Sequence, residues 1–155
     1  MWRRPTKPAA PTPLLDAAAS EATPLDAADH ELIAAAEAVL RRHYRPFWHT
    51  VAAALRGRDG RIWTGIHLGA TVGRLSICAE AVAFGRAVLE GDGTIATAVA
   101  LRHPKPEEEL RDIAIVPPCG ACREMITDYA RDALVIVPGP IKLPIRTLLP
   151  APYRR

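Results

Sequence analysis

The sequence predicts one α/β domain around a central mixed sheet, its first strands antiparallel and its later ones parallel. Three observations predict it. Apolar runs of strand length alternate with segments whose apolar residues recur at helical spacing. A chain of 155 residues, 49% of them apolar, can bury one real core but is too short for two comfortable ones. An Asp59-Gly60 pair between two of the runs marks a hairpin, because both residues tolerate positive φ.

The elements follow in order. Residues 1–25 carry Pro5, Pro8, Pro11, Pro13 and Pro24 among alanines, which can neither hold a helix nor bury much, so a flexible tail is expected. The folded domain is then expected over 26–155. From Asp29 to His43, Leu32, Ile33, Ala36, Val39 and Leu40 fall on one helical stripe, and Pro46 ends it. Val51–Leu55 and Arg61–Ile66 form the hairpin strands, with Trp63 at an apolar position that suits core or interface. A glycine-rich loop, Gly65–Gly73, leads to a second helix over Cys78–Leu89, stopped by Gly91-Asp92-Gly93. Thr94–Leu101 reads as a buried strand, His103–Arg111 as a polar excursion, and Ile113–Val116 as the next strand. Pro117-Pro118 breaks that strand ahead of a helix from Cys119 to Tyr129. Ala133–Val137 is the last strand, and a short helix from near Pro144 closes at Leu148-Leu149-Pro150. His30, His43 and His103 are read as solvated.

Composition narrows the function. No run reaches the roughly 18 apolar residues of a membrane-spanning helix, and Met1-Trp2-Arg3-Arg4-Pro5 is not followed by the apolar core of a secretory signal. Three cysteines, all in ligand spacing, point to a reducing cytoplasm instead of a disulfide framework. The net charge of +3 and pI near 9.0 come from scattered arginines with no basic stripe interleaved with aromatics, which argues against nucleic acid as a partner.

The chemistry is concentrated in two stretches, Cys78-Ala79-Glu80 and Pro117-Pro118-Cys119-Gly120-Ala121-Cys122-Arg123. They use every cysteine in the chain. Three thiolates can bind one Zn²⁺ and leave its fourth tetrahedral position open, as a catalytic zinc requires. Glu80 is better used as a proton shuttle than as a fourth ligand that would close that position. Cys78 and Cys119 both fall where a loop enters a helix, whose free N–H groups and partial positive charge suit thiolates. Three thiolates on Zn²⁺ leave a net negative charge, which the cation of Arg123 can offset.

With these residues in place, the chain from Val51 to its C-terminus resembles the small, three-cysteine cytidine deaminase family, which includes blasticidin S deaminase. The resemblance rests on Asp59-Gly60-Arg61-Ile62-Trp63-Thr64-Gly65, the Cys78-Ala79-Glu80 helix, Pro118-Cys119-Gly120-Ala121-Cys122-Arg123, and Leu148-Leu149-Pro150 followed by Tyr153. It implies a three-layer α/β/α sandwich with a five-stranded mixed sheet, a Zn²⁺ cofactor, and hydrolytic deamination at the 4-amino position of a cytosine-type ring. By the same likeness, Ala79 and Tyr153 are expected to touch substrate, and the chain to form a homotetramer acting in pyrimidine salvage. Zinc deaminases that edit within RNA or single-stranded DNA carry histidine as first ligand; Cys78 is the choice of relatives acting on free nucleosides.

The substrate loop departs from the family. Where the family has an Asn-x-Glu segment that holds the ribose hydroxyl, this chain has His67-Leu68-Gly69. Where the family packs an aromatic residue on the base, this chain has His49. His67, Gly69 and His49 are therefore the expected substrate contacts, and the sugar need not be ordinary ribose. Three functions follow from the sequence: a deaminase of cytidine, deoxycytidine or a modified nucleoside of the blasticidin S type; an editing enzyme on a polynucleotide; and a non-catalytic, zinc-stabilised nucleoside-binding protein. Retained Glu80 argues against the last.

Overall fold

A computed structural model describes residues 20–153. The predicted tail lies outside the described residues as far as residue 19. Its last part is not tail-like, since β1 (Thr23–Pro24) pairs with a strand near the C-terminus.

Helix α1 (Ala27–His43) starts at a capping box in which the Asp26 carboxylate accepts the Asp29 N–H and the Asp29 carboxylate accepts the Asp26 N–H, both at 3.0 Å. Strands β2 (Val51–Gly57) and β3 (Ile62–Ile66) form the expected hairpin, with Gly60 at φ 84°. Helix α2 (Ala79–Glu90) follows, then β4 (Ile95–Arg102) and β5 (Ala114–Val116). Helix α3 (Gly120–Tyr129), β6 (Leu134–Val137), β7 (Ile141–Pro144) and the single turn α4 (Ile145–Leu148) complete the chain.

The sheet is mixed and runs in the order β1-β7-β6-β4-β2-β3, with β5 also paired to β4. All five expected strands are present. Two were not expected: β7, a four-residue return of β6 across a tight turn at Gly139 (φ 100°), and the two-residue β1 on its edge. Neither is a continuous apolar run, since β1 is Thr-Pro and β7 is interrupted by Lys142. Only β4 and β6 are parallel, and β5 is antiparallel to β4, so the later half of the sheet is less parallel than expected.

Side-chain alternation sorts the layers. On β2 and β4, Ala52, Ala54, Val99 and Leu101 face Leu32, Ala36 and Leu40 of α1. Leu55 and Ala98 face the opposite layer, where Trp63, Phe84, Ala87 and Ile126 are buried, while Ala53 and Ala100 pack with Ala79. The small residues of β2 let both helical layers sit close to the sheet. Trp63 is in the core, at 2% exposure, with Arg61 lying over its ring. Among the described residues no helix is long and apolar enough to cross a membrane.

One polar cluster ties the C-terminal edge to α1. Lys142 on β7 donates to Asp26 at 2.9 Å and to the buried Asp29 at 2.6 Å. The Lys142 ammonium, helped by the Asp29 N–H, lowers the Asp26 carboxyl from 3.8 to about 2. A carboxyl depressed on folding stabilises above its unfolded value and ceases to do so as pH falls through its folded one. Thermal melts should therefore show a decline between about pH 4 and pH 2 that is flattened in Asp26→Asn.

Candidate metal and catalytic site

Cys78 and Cys119 are the N-cap residues of α2 and α3, and Cys122 lies in the first turn of α3. The three sulfurs lie within 4.8 Å of one another, with Cys78 Sγ 3.6 Å from Cys119 Sγ. That separation is far beyond a disulfide bond. It agrees with the roughly 3.8 Å expected between two sulfurs on a tetrahedral ion with 2.3 Å metal–sulfur bonds. All three cysteines are free thiols, and Cys122 is 2% exposed. Three soft donors converging with an open side are the donor set of a catalytic zinc.

Their protonation differs with position. Burial, the nearby Glu80 carboxylate and the other two thiols push Cys122 far above the usual thiol range. Burial also raises Cys78. Around Cys119 the Cys122 N–H and the Cys122 and Cys78 thiols outweigh burial, so this thiol ionises below its ordinary value. A cation bound among the three thiols would favour ionisation of all of them.

Glu80 is buried at 6% exposure, in the first turn of α2. Burial raises its carboxyl above the ordinary range, partly offset by its own backbone N–H and the Cys122 thiol. A small open cleft of about 140 Å³ brings Glu80 together with Val51, His67, Cys78, Ala79, Val116, Pro117 and Cys119. A carboxyl able to hold a proton, beside three thiols that could hold a metal ion and an opening, can shuttle protons to a bound ring.

The other expected residues stand further out. His49 Nδ1 donates to the His67 carbonyl at 2.8 Å, and His67 Nδ1 lies 3.5 Å from the Thr50 hydroxyl. Burial, and to a lesser degree the neighbouring His49, lower the His67 pKa. Gly69 does not line the cleft. Its N–H donates to the Trp48 carbonyl at 2.7 Å, and a Cβ there would lie 2.6 Å from the Phe47 carbonyl oxygen. Arg123 donates from Nε to the Pro118 carbonyl (2.9 Å) and from Nη1 to that of Leu148 (3.2 Å), bracing the loop that carries Cys119. The Tyr153 N–H donates to Glu124 on α3, while Tyr153 as a whole is 76% exposed.

Sequence reasoning missed two supports. Gly65, read at the overlap of the Arg61–Ile66 strand and the Gly65–Gly73 loop, lies in β3, where a Cβ would meet the Ala79 carbonyl at 2.3 Å and the Ala83 nitrogen at 2.6 Å. Its bare backbone lets the first turn of α2, and so Glu80, rest directly on the sheet; a glycine inside an alternating run is the signal for such an approach. His103, read as solvated, is half-buried, with its ring stacked on Tyr44 at 3.6 Å between centroids.

No family model matches the chain. It is 41% identical over 130 residues to blasticidin-S deaminase of Bacillus cereus, across 82% of this chain and 93% of that protein. To cytidine deaminase of Sporosarcina psychrophila it is 31% identical over 108 residues, across 68% and 73% of the two chains. Among solved structures, cytidine deaminase from Mycobacterium tuberculosis superposes with a TM-score of 0.69 at 21% identity, covering 84% of this chain and 100% of that one. Cytidine deaminase from Burkholderia pseudomallei gives 0.65 at 26% identity, covering 80% and 98%.

Proposed function

Because the chain belongs to the family of blasticidin-S and cytidine deaminases, we propose that it is a zinc-dependent aminohydrolase that exchanges the 4-amino group of a cytosine nucleoside for oxygen. The observation that carries this reading is buried Glu80 in one cleft with Cys78 and Cys119, whose sulfurs cluster with that of Cys122. Cys78, Cys119 and Cys122 would hold the Zn²⁺, which would supply the Lewis acidity that makes water a competent nucleophile near neutral pH. Glu80 takes a proton from the attacking water and delivers protons to the ring nitrogen and to the departing amine. A ring C–O bond forms, the C–N bond breaks, and ammonia leaves.

The remaining residues position the substrate. His67 and Ala79 line the cleft and contact it directly; His49 fixes the His67 segment through its carbonyl. Gly69 supplies no acid for a sugar hydroxyl, which favours a nucleoside altered on its sugar side. Arg123 braces the metal loop through Pro118. Residues 26–155 are the zinc domain of this reading, with β1 (Thr23–Pro24) added at the edge of its sheet.

The cleft is too small to enclose a nucleoside by itself, since small-molecule sites occupy about 300–1,000 Å³. Exposed Leu68, Val72, Leu75 and Ile77, on the segment leading into Cys78, support burial against further copies in a homotetramer, with Tyr153 reaching a neighbouring site. Three unpaired thiols support a cytoplasmic setting, and free-nucleoside deamination supports a place in pyrimidine salvage.

The test is an absorbance assay of the zinc-loaded protein against cytidine, deoxycytidine, cytosine and blasticidin S. Turnover of at least one nucleoside is expected. Zinc bound with no turnover of any would overturn the reading in favour of a binding protein.

A further inference from the structure

The three thiols differ in what can reach them. Cys119 is exposed, Cys78 is half-buried and Cys122 is buried. Cys78 and Cys119 both line the open cleft of about 140 Å³, and Cys122 does not. The same two make the short approach, with their sulfurs 3.6 Å apart. Exposure, cleft lining and distance therefore single out one pair.

Local structure leaves that pair available. Each cysteine is the N-cap of its helix, and neither side chain bonds to the helix it caps. Their sulfurs need close by only ~1.5 Å to reach bonding distance. A bond between them would join the starts of α2 and α3, 41 positions apart in the chain. Cys119 and Cys122 have the C-x-x-C spacing of many redox dithiols, but Cys122 is 2% exposed and outside the cleft lining. A thiol that solvent reaches, beside a second thiol that can capture its oxidised form, is the arrangement of a redox-sensing pair.

We propose that Cys119 and Cys78 form a peroxide-sensitive pair, which closes to a disulfide, expels the metal ion and reopens with a thiol reductant. Cys119 Sγ attacks one peroxide oxygen; an S–O bond forms, the O–O bond breaks and the far oxygen departs as water. Cys78 Sγ then attacks Cys119 Sγ; the S–S bond forms, the S–O bond breaks and a second water leaves. Each sulfur gives up one electron and the peroxide takes both. The two protons come from the thiols or, for metal-bound thiolates, from solvent. Two of the three ligands are then spent, and Cys122 alone cannot keep a zinc ion. The proposal rests on the zinc reading of the thiols and is independent of which nucleoside is deaminated.

The experiment follows the zinc-loaded full chain after addition of hydrogen peroxide, with a zinc-sensing dye and intact mass as readouts. One zinc per chain should be released in step with a mass loss of about 2 Da, and peptide mapping should find Cys78 joined to Cys119. A dithiol reductant with added zinc should restore the starting mass and metal content. In Cys78→Ser the disulfide should be lost, and Cys119 should instead gain about 16 and then about 32 Da, the sulfenic and sulfinic steps. In Cys122→Ser the disulfide should persist. Zinc retained under peroxide, zinc released without a disulfide, or a Cys119–Cys122 bond that survives in Cys78→Ser would overturn the proposal. Mapping of the parent chain decides the pairing even where a variant fails to fold. A chain that holds no zinc before peroxide is added overturns the zinc reading, a result separate from any of these.

Discussion

Replacing Glu80 by Gln is expected to lower kcat by a factor of about 10²–10⁴ while zinc content and fold stay unchanged. The carboxyl is 6% exposed and shares one cleft with Cys78 and Cys119. An amide of the same shape fills that space and donates or accepts hydrogen bonds, but it cannot take a proton from water and give it up again. KM should therefore change far less than kcat, because binding of the ring survives and only proton transfer is removed. Metal analysis, kcat and KM on the same preparation check the claim. A fall in zinc content matching the fall in kcat would make Glu80 a ligand instead of a shuttle.

Cys122→Ala is expected to remove the metal itself. Cys122 is the most buried of the three thiols, at 2% exposure, in the first turn of α3. Loss of a direct ligand should exceed the ~10–100-fold drop in metal affinity that follows loss of a supporting residue. Because metal bound only by the folded chain adds to stability, chelation should lower the Tm of the parent protein. The same chelator should leave the Tm of Cys122→Ala unmoved, since there is no metal to withdraw. The alanine fills most of a buried site, so the variant should still fold. A parent Tm indifferent to chelation would show that the thiols do not hold a stabilising ion.

The helices and most of the sheet were legible because their signals are local. The α1 stripe of Leu32, Ala36 and Leu40, the Asp59-Gly60 turn and the β4 run each declare themselves within about one element length. The thiol and acid constellation was legible too, since two short segments carry it whole and a helix start fixes how Cys78 and Glu80 stand to one another. The β1 and β7 strands were not, because neither is an apolar run: Thr23–Pro24 is polar and proline, and Ile141–Pro144 is broken by Lys142. Lys142 similarly reads as an ordinary surface lysine until the fold brings it to Asp26 and Asp29, more than 110 positions earlier in the chain.

By itself, the sequence determined which residues carry the proposed chemistry: three thiols and one acid in two short motifs, an α/β frame to hold them, and a glycine at position 69. Residue type and short spacing decide these, and both are properties of the chain before it folds. Only the tertiary structure decided what Gly69 does. A glycine in sequence is an absence. In the fold it is a contact, with its backbone pressed on Phe47 and Trp48 and the turn above it bent to a positive φ. That packing joins residues from three separate segments, 44–50, 67–69 and 102–107, whose neighbourhood depends on how β2 lies between β3 and β4. Strand pairing sets that neighbourhood through long-range burial and backbone hydrogen bonds, which no local pattern of residues encodes.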